Sequence, residues 1–299
     1  MDRVLRAALT ERRAGGTKRR METGTSPNLD AYFRRIGYVG SREPSLATLT
    51  ELQRRHTVAI PFENMNPLLG LPVRLDVASL ERKLVDERRG GYCFEQNGLF
   101  MHVLRALGYE LVGLAARVTW NQADDAPTAR SHMLLRLTID RCDYIADVGF
   151  GAMVLTNPLR LVADVEQSTS HEPFRLAAQA DELKLQVKLL GVWKTLYRFD
   201  LTPQLPIDYE LANYYIATHP GSHFVQNLMV ARTTETRRYA LLNNELSTYD
   251  RSGRANRRVL ADASELRAAL EGELQLHLPE SAALTSLLTR LTGASHLSG

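Results

Sequence analysis

The spacing of apolar positions changes near residue 109 and divides the chain there. Before that point apolar residues recur every three or four positions, as on one face of a helix. "SPNLDAYFRRIGY" predicts a helix with Ser26 as N-cap, Pro27 at its first position and Gly37 as its stop, and "SLATLTELQRRH" predicts another beginning at Ser45. "VASLERKLVDERR" predicts a third, ending at Gly90-Gly91. A fourth runs from about Cys93 to Leu107, with Gly108 suited to the left-handed position beyond its end.

From Tyr109 the period shortens. "YELVGLAARVTW", "SHMLLRLTI" and "YIADVGF" are rich in Val, Ile, Leu and Tyr and are separated by the turn-forming stretches "NQADDAPTA" and "DRCD", so they predict strands. "ELKLQVKLLGVWKTLYRFDL" continues the pattern, alternating over 183–189. Beyond Pro206 the patterning predicts a helix ("IDYELANYYIAT"), two strands ("HFVQNLMVAR" and "RRYALLNNELSTY") and two helices ("SELRAALEG" and "SAALTSLLTRLT"). The fold class is therefore α+β and multidomain: a basic tail over 1–25, a helical domain over 26–108, a strand-rich domain over 109–205 and a mixed α/β domain over 206–299.

Composition limits the function classes. At 299 residues and 44% hydrophobic the chain can bury a substantial core. No run reaches the roughly 18–20 apolar residues of a membrane helix, and no secretory leader is visible, so a cytoplasmic protein without a membrane partner is expected. The net charge of +3 is concentrated at the start, where the first twenty residues carry seven Lys or Arg against Asp2 and Glu11. That arm has no interleaved aromatics and no nucleic-acid motif follows it, so no nucleic-acid partner is expected. Two cysteines exclude a disulfide framework.

Cys93 has the setting of a reactive thiol. It follows two glycines and falls in the first turn of a helix whose remainder, "GLFMHVLRAL", is apolar on nearly every face. The unsatisfied N–H groups and positive dipole end of that first turn favour a thiolate and can receive an oxyanion, and the glycines permit close approach to the backbone. A thiolate nucleophile needs an imidazole. His102 lies nine residues on, on the opposite side of the same helix. His132 opens the strand "HMLLRLTI", and a hairpin turning about Asp140 and Arg141 sets it opposite Gly149. Asp147 is then its diagonal neighbour on the same face, roughly 7–8 Å away at the backbone, where a carboxylate can orient the ring.

Four stretches carry a resemblance to a known family: "RGGYCFEQN" (89–97), "SHMLL" (131–135), "DVGFG" (147–151) and "IPFEN" (60–64) resemble the signatures of the arylamine N-acetyltransferases, from about Met21 to the C-terminus. The resemblance implies a helical N-terminal bundle, a central β-barrel-like domain and a C-terminal α/β lid, with a cysteine-protease-like Cys-His-Asp triad. It implies Cys93 as nucleophile, His132 as base and Asp147 as orienting carboxylate, in a ping-pong transfer of acetyl from acetyl-coenzyme A to an arylamine, arylhydrazine or N-hydroxyarylamine, without a metal. It further implies an apolar acceptor wall of Phe62, Val118, Phe150 and Phe224, a coenzyme A loop containing Gly149 and Gly151, and a role in xenobiotic metabolism. Ala152 stands where the family often has glycine. Glu63 and Arg89 are expected to form a structural ion pair, and Cys142 has no assigned role. A transglutaminase-like or papain-like hydrolase, a macrolactam-forming amide synthase of the same family and a non-catalytic binding module remain the rival readings.

Overall fold

The computed structural model describes residues 26–251 and 253–293, so the basic tail expected over 1–25 lies outside the described residues. The first helix, α1 (Leu29–Ile36), begins later than predicted. Asn28, not Ser26, is its cap, because the Asn28 carboxamide accepts from Ala31 N at 3.0 Å; Gly37 closes it in the left-handed region as expected. α2 (Leu46–Ala59) is capped by Ser45 as predicted. A short α3 (Met65–Leu68) and α4 (Val77–Glu81) follow, and α4 runs into a π-helical turn over Arg82–Asp86. The chain leaves helical geometry there, before Gly90, and Arg88 adopts a positive φ of 53°. α5 (Cys93–Ala106) matches the predicted fourth helix.

Seven antiparallel strands form the central sheet, in the order β5-β4-β3-β2-β8-β7-β6. They are β2 (Glu110–Val118), β3 (Arg130–Ile139), β4 (Cys142–Ala146), β5 (Leu159–Arg160), β6 (Phe174–Gln179), β7 (Glu182–Leu189) and β8 (Val192–Phe199). Bridges from Ala163 to Leu176 and from Gln167 to Phe174 return the chain beyond β5 to β6, so the sheet nearly closes into a barrel. Its inside is filled by Leu114, Leu134, Ile145, Phe174, Leu185, Leu196 and Phe199. The β3–β4 register is the one derived from the sequence: Leu135 pairs with Ala146 and Ile139 with Cys142, through a turn whose Asp140 and Arg141 both have positive φ. The β4 ladder ends at Ala146, sooner than predicted, which releases Asp147 from strand pairing. The alternation expected over 183–189 falls on β7, and beyond it the chain turns at Leu190-Gly191 into the β7–β8 hairpin.

The second sheet has the order β1-β9-β10-β11-β12. Its strands are β1 (Phe62–Glu63), from the helical part of the chain, with β9 (Met229–Thr233), β10 (Arg237–Leu242), β11 (Glu245–Asp250) and β12 (Ala255–Val259). α6 (Pro206–Thr218) matches its prediction. The start of the predicted strand "HFVQNLMVAR" is instead the helical turn α7 (His223–Gln226), because Ser222 accepts from Phe224 N and caps it. α8 (Ala263–Glu271) and α9 (Ala282–Gly293) cover this sheet, burying Leu266, Leu270, Leu284 and Leu288 against Leu228, Val230, Leu241 and Leu246.

The elements meet at α5. Phe94, Leu99, Phe100 and Leu104 are buried among Tyr32, Leu49, Leu52 and Leu84 of the helical part, Met133 and Leu135 of β3, and Tyr209 and Ile216 of α6. The start of this buried helix is accordingly a rigid mount. Among the described residues no helix is long and apolar enough to cross a membrane.

Candidate active site

Buried charge anchors the N-terminus of α5. Glu95 is 1% exposed; its Oε2 accepts from Tyr92 N at 3.1 Å, closing the first turn, while its Oε1 receives Lys83 Nζ at 2.7 Å. Glu63 lies beside them, receiving Arg89 Nη2 at 2.8 Å, Lys83 Nζ at 3.3 Å and Met65 N at 2.6 Å. The expected Glu63–Arg89 pair is therefore present, as half of a four-membered cluster that sequence reasoning did not reveal. Burial would raise both carboxyls. The cations and the Met65 amide hold Glu63 below the usual range, whereas Glu95 stays raised because the Glu63 charge adds to its burial. Two carboxylates against one Lys and one Arg leave no net charge under the helix start.

The glycines before Cys93 serve close packing. A side chain on Gly90 would overlap the Pro61 carbonyl oxygen, and one on Gly91 would fall 2.8 Å from Glu95 Oε2. Gly91 also donates its N–H to Pro61 O at 3.3 Å and accepts from Glu63 N at 3.2 Å. They thus lock β1 against the helix start, and the Gly91 amide is already used there. Gln96 extends the seam: its Nε2 donates to Pro61 O at 3.0 Å and to Gly91 O at 3.1 Å, and its Oε1 accepts from His56 Nε2 at 2.7 Å. The His56 Nδ1 in turn accepts from Tyr32 OH at 2.8 Å. Burial pulls the His56 ring down to about 3, so it is neutral.

Cys93, 4% exposed, opens α5 with its sulfur 3.6 Å from Ser131 O. The next residue, His132, is 3% exposed and places Nε2 2.7 Å from Asp147 Oδ2, and Cys93 is among the neighbouring groups that raise its ring. Since Nε2 serves Asp147, Nδ1 is the nitrogen left for sulfur. The structure therefore brings Cys93, His132 and Asp147 together, with the imidazole hydrogen-bonded to the carboxylate and Cys93 close enough to act on the ring. Three more donors surround the fully buried carboxylate: Tyr197 OH at 2.9 Å, Asn97 Nδ2 at 2.9 Å and Gly149 N at 2.9 Å. Asn97 also receives Val148 N on its Oδ1 and donates to Met133 O. Burial alone would neutralise His132; the Asp147 charge and hydrogen bond outweigh it, with help from Cys93, and raise the ring to about 10. The same pairing holds Asp147 below the usual carboxylate range despite its burial. Burial first, and then the Asp147 charge, push the Tyr197 phenol well up, so it remains a donor.

Sequence reasoning missed Asn97 and Tyr197. Asn97 had a signal, because it stands four residues after Cys93 on the same helix face. Tyr197 comes from a distant strand and had none.

The predicted wall is assembled in two groups. Phe150 meets the His132 ring edge-on, with centroids 5.4 Å apart, and lies 5.4 Å from Tyr197. Phe62 and Phe224 lie 6.1 Å from each other, and Phe224 is 5.3 Å from Tyr92. Gly151, at φ +88°, joins the groups, since a Cβ there would touch the Phe62 ring at 3.5 Å. Val118 stands at the end of β2, paired in register with Tyr197. All four residues are partly exposed above buried neighbours. The structure revises the reason for Gly149. A side chain there would lie 2.6 Å from Cys93 Cα, and the Gly149 N–H is committed to Asp147, so close packing and carboxylate support account for this glycine rather than an open phosphate cradle.

A thiol beside an imidazole that a carboxylate holds in one orientation, at a helix start and under an aromatic wall, is equipped for acyl transfer through a thioester. Comparison with known proteins agrees. The N-acetyltransferase family profile matches residues 45–283. An arylamine N-acetyltransferase of Mycolicibacterium smegmatis is 46% identical over 230 residues, 76% of this chain and 83% of that protein. One of Mycobacterium tuberculosis is 41% identical over 268 residues, 88% of this chain and 94% of that protein. The solved structure of Mycobacterium marinum arylamine N-acetyltransferase in complex with CoA superposes with a TM-score of 0.85 at 38% identity, covering 88% of this chain and 99% of that one. The chain belongs to the arylamine N-acetyltransferase family and is an acyltransferase.

Proposed function

We propose that this protein carries an acetyl group from acetyl-coenzyme A to aromatic amines, hydrazines or N-hydroxyarylamines, by way of a thioester on Cys93, and that it does so in the cytoplasm on foreign aromatic compounds. The observation that supports the reading is the buried cluster in which His132, hydrogen-bonded to Asp147, stands beside Cys93 at the start of α5. The coenzyme A bound by the M. marinum relative supports the choice of donor.

In the first half-reaction the Cys93 thiolate attacks the thioester carbonyl, whose oxygen turns toward the first-turn N–H groups of α5. The C–S bond to coenzyme A breaks, and the His132 imidazolium gives its proton to the leaving thiolate. Acetylation also removes the Cys93 contribution that helps raise the ring, so the imidazolium gives up its proton more readily and more of the ring stands neutral in the acetyl-enzyme. In the second half-reaction a neutral amine attacks the acetyl carbon, His132 takes the N–H proton, and the Cys93 thiolate departs as the amide forms. Phe62, Phe150 and Phe224 give an aromatic ring a surface to stack on and displace water that would hydrolyse the thioester.

The experiment follows the release of free coenzyme A thiol from acetyl-coenzyme A. The reading requires steady release only with an aromatic amine present and none in Cys93→Ser. Equal release with and without the amine identifies a hydrolase and overturns it.

A further inference from the structure

The loop that carries Gly149, Phe150 and Gly151 is held by all three parts of the chain. At its start Gly149 N is fixed to Asp147. At its far end Leu155 O accepts from Gln53 Nε2 of α2 at 2.9 Å. Between them Ala152 O accepts from Arg238 Nη1 of β10 at 3.1 Å.

Arg238 is itself only 1% exposed and heads the fully buried side chains by volume. Its Nε donates to Glu172 Oε1 at 3.1 Å and its Nη2 to Oε2 at 2.7 Å, a bidentate pair, and its Nη1 also reaches Thr233 Oγ1 at 3.2 Å. Glu172 sits in the 161–173 connection that closes the barrel, and Ser170 N of the same connection donates to Asn157 Oδ1 at 2.8 Å. The guanidinium therefore spans three segments: the second sheet, the barrel connection and the loop beside His132. A buried bidentate Arg–Glu pair is a poor choice for stability alone, because desolvation offsets much of the attraction. Its planar fork does fix geometry, and here it holds the carbonyl that directly follows the left-handed Gly151.

We infer that the Arg238–Glu172 pair is a positioning device for the amine-accepting half of the reaction: by holding the Ala152 carbonyl it sets Phe150 against His132 and Gly151 under Phe62. Neither residue touches the reacting atoms. Cys93 sits on the separate mount of α5 with Glu95 and Lys83, so its acetylation does not depend on this strut. The inference rests on the acetyl-transfer reading above.

The test separates the half-reactions in Arg238→Lys, which keeps a cation for Glu172 but cannot also span to Ala152 O. Acetyl-enzyme formation from acetyl-coenzyme A is timed without amine, and its discharge is then followed against rising concentrations of an aniline. The expected result is acetylation within about twofold of wild type and an acceptor KM raised about tenfold, as loss of substrate positioning demands. Thr233→Val, which spares the Glu172 and Ala152 bonds, should leave both half-reactions near wild type. An unchanged acceptor KM, or an equal loss in both half-reactions, overturns the inference; Glu172→Gln provides the same measurement if the lysine variant does not fold. Wild type that forms no acetyl-enzyme at all would instead refute the acetyl-transfer reading.

Discussion

His132 and Asp147 are joined by a 2.7 Å hydrogen bond in a fully buried setting, and the carboxylate accepts from Asn97, Tyr197 and Gly149 as well. Removing its charge while keeping its shape should leave the imidazole less basic and free to turn. Asp147→Asn is predicted to slow acetyl-enzyme formation by roughly 10²–10⁴-fold with little effect on the affinity for the amine. Rapid-quench measurement of both half-reactions checks this, and a loss confined to the amine step would contradict it.

The same pairing gives a pH signature of stability. The folded His132 value of about 10 lies above the ordinary 6.5, so its stabilising contribution is complete below pH 6.5 and is lost as pH rises through about 10. His56 has the opposite sign: held near 3, it disfavours the fold as pH falls from 6.5 toward 3. Urea midpoints should decline on both sides. His132→Gln should flatten the alkaline limb and His56→Gln the acid limb, each leaving the other limb in place.

Gly149→Ala places a methyl group 2.6 Å from Cys93 Cα, which is backbone, and 2.8 Å from Asn97 Nδ2, which is tied to Asp147 and Met133 O. The loop must move away from the helix start, taking the Asp147 support with it. A destabilisation of about 1–3 kcal/mol is expected in thermal or denaturant unfolding, together with a larger loss of activity than of stability. Wild-type turnover in this variant would exclude the close approach described here.

Lys83→Met leaves Glu63 its Arg89 partner but takes from the buried Glu95 carboxylate the cation it is paired with. Breaking a buried pair in this way costs about 3–5 kcal/mol. The thermal midpoint should fall accordingly, and Lys83→Met combined with Glu95→Gln should recover part of the loss, since the second change removes the stranded charge.

How far the sequence could reveal this site depends on how local each signal was. The His132–Asp147 relationship could be read because two strand-forming runs flank the two-residue turn at Asp140-Arg141, and the turn sets the parity of both. The helix carrying Cys93 was legible from its apolar length and its following glycine. What escaped is set by distant partners. Lys83 and Glu95 look like ordinary surface charges, and Arg238 and Glu172 lie sixty-six positions from one another. β12 escaped because all five of its residues are exposed and it carries no alternation. "HFVQ" carries the apolar content of a strand, but the Ser222 cap turns it into a helix start. The glycines at 90, 91 and 149 were read as openings for a ligand, whereas the structure places protein atoms where their side chains would be. That difference needs coordinates.

The most direct measurement is the intact mass of the protein after mixing with acetyl-coenzyme A, followed by an aromatic amine. The account predicts a single acetyl group on the peptide containing Cys93, stable until the amine arrives and then recovered as the acetylated amine. An unmodified protein that still makes product, or an acetyl group on any other residue along the route, would contradict it.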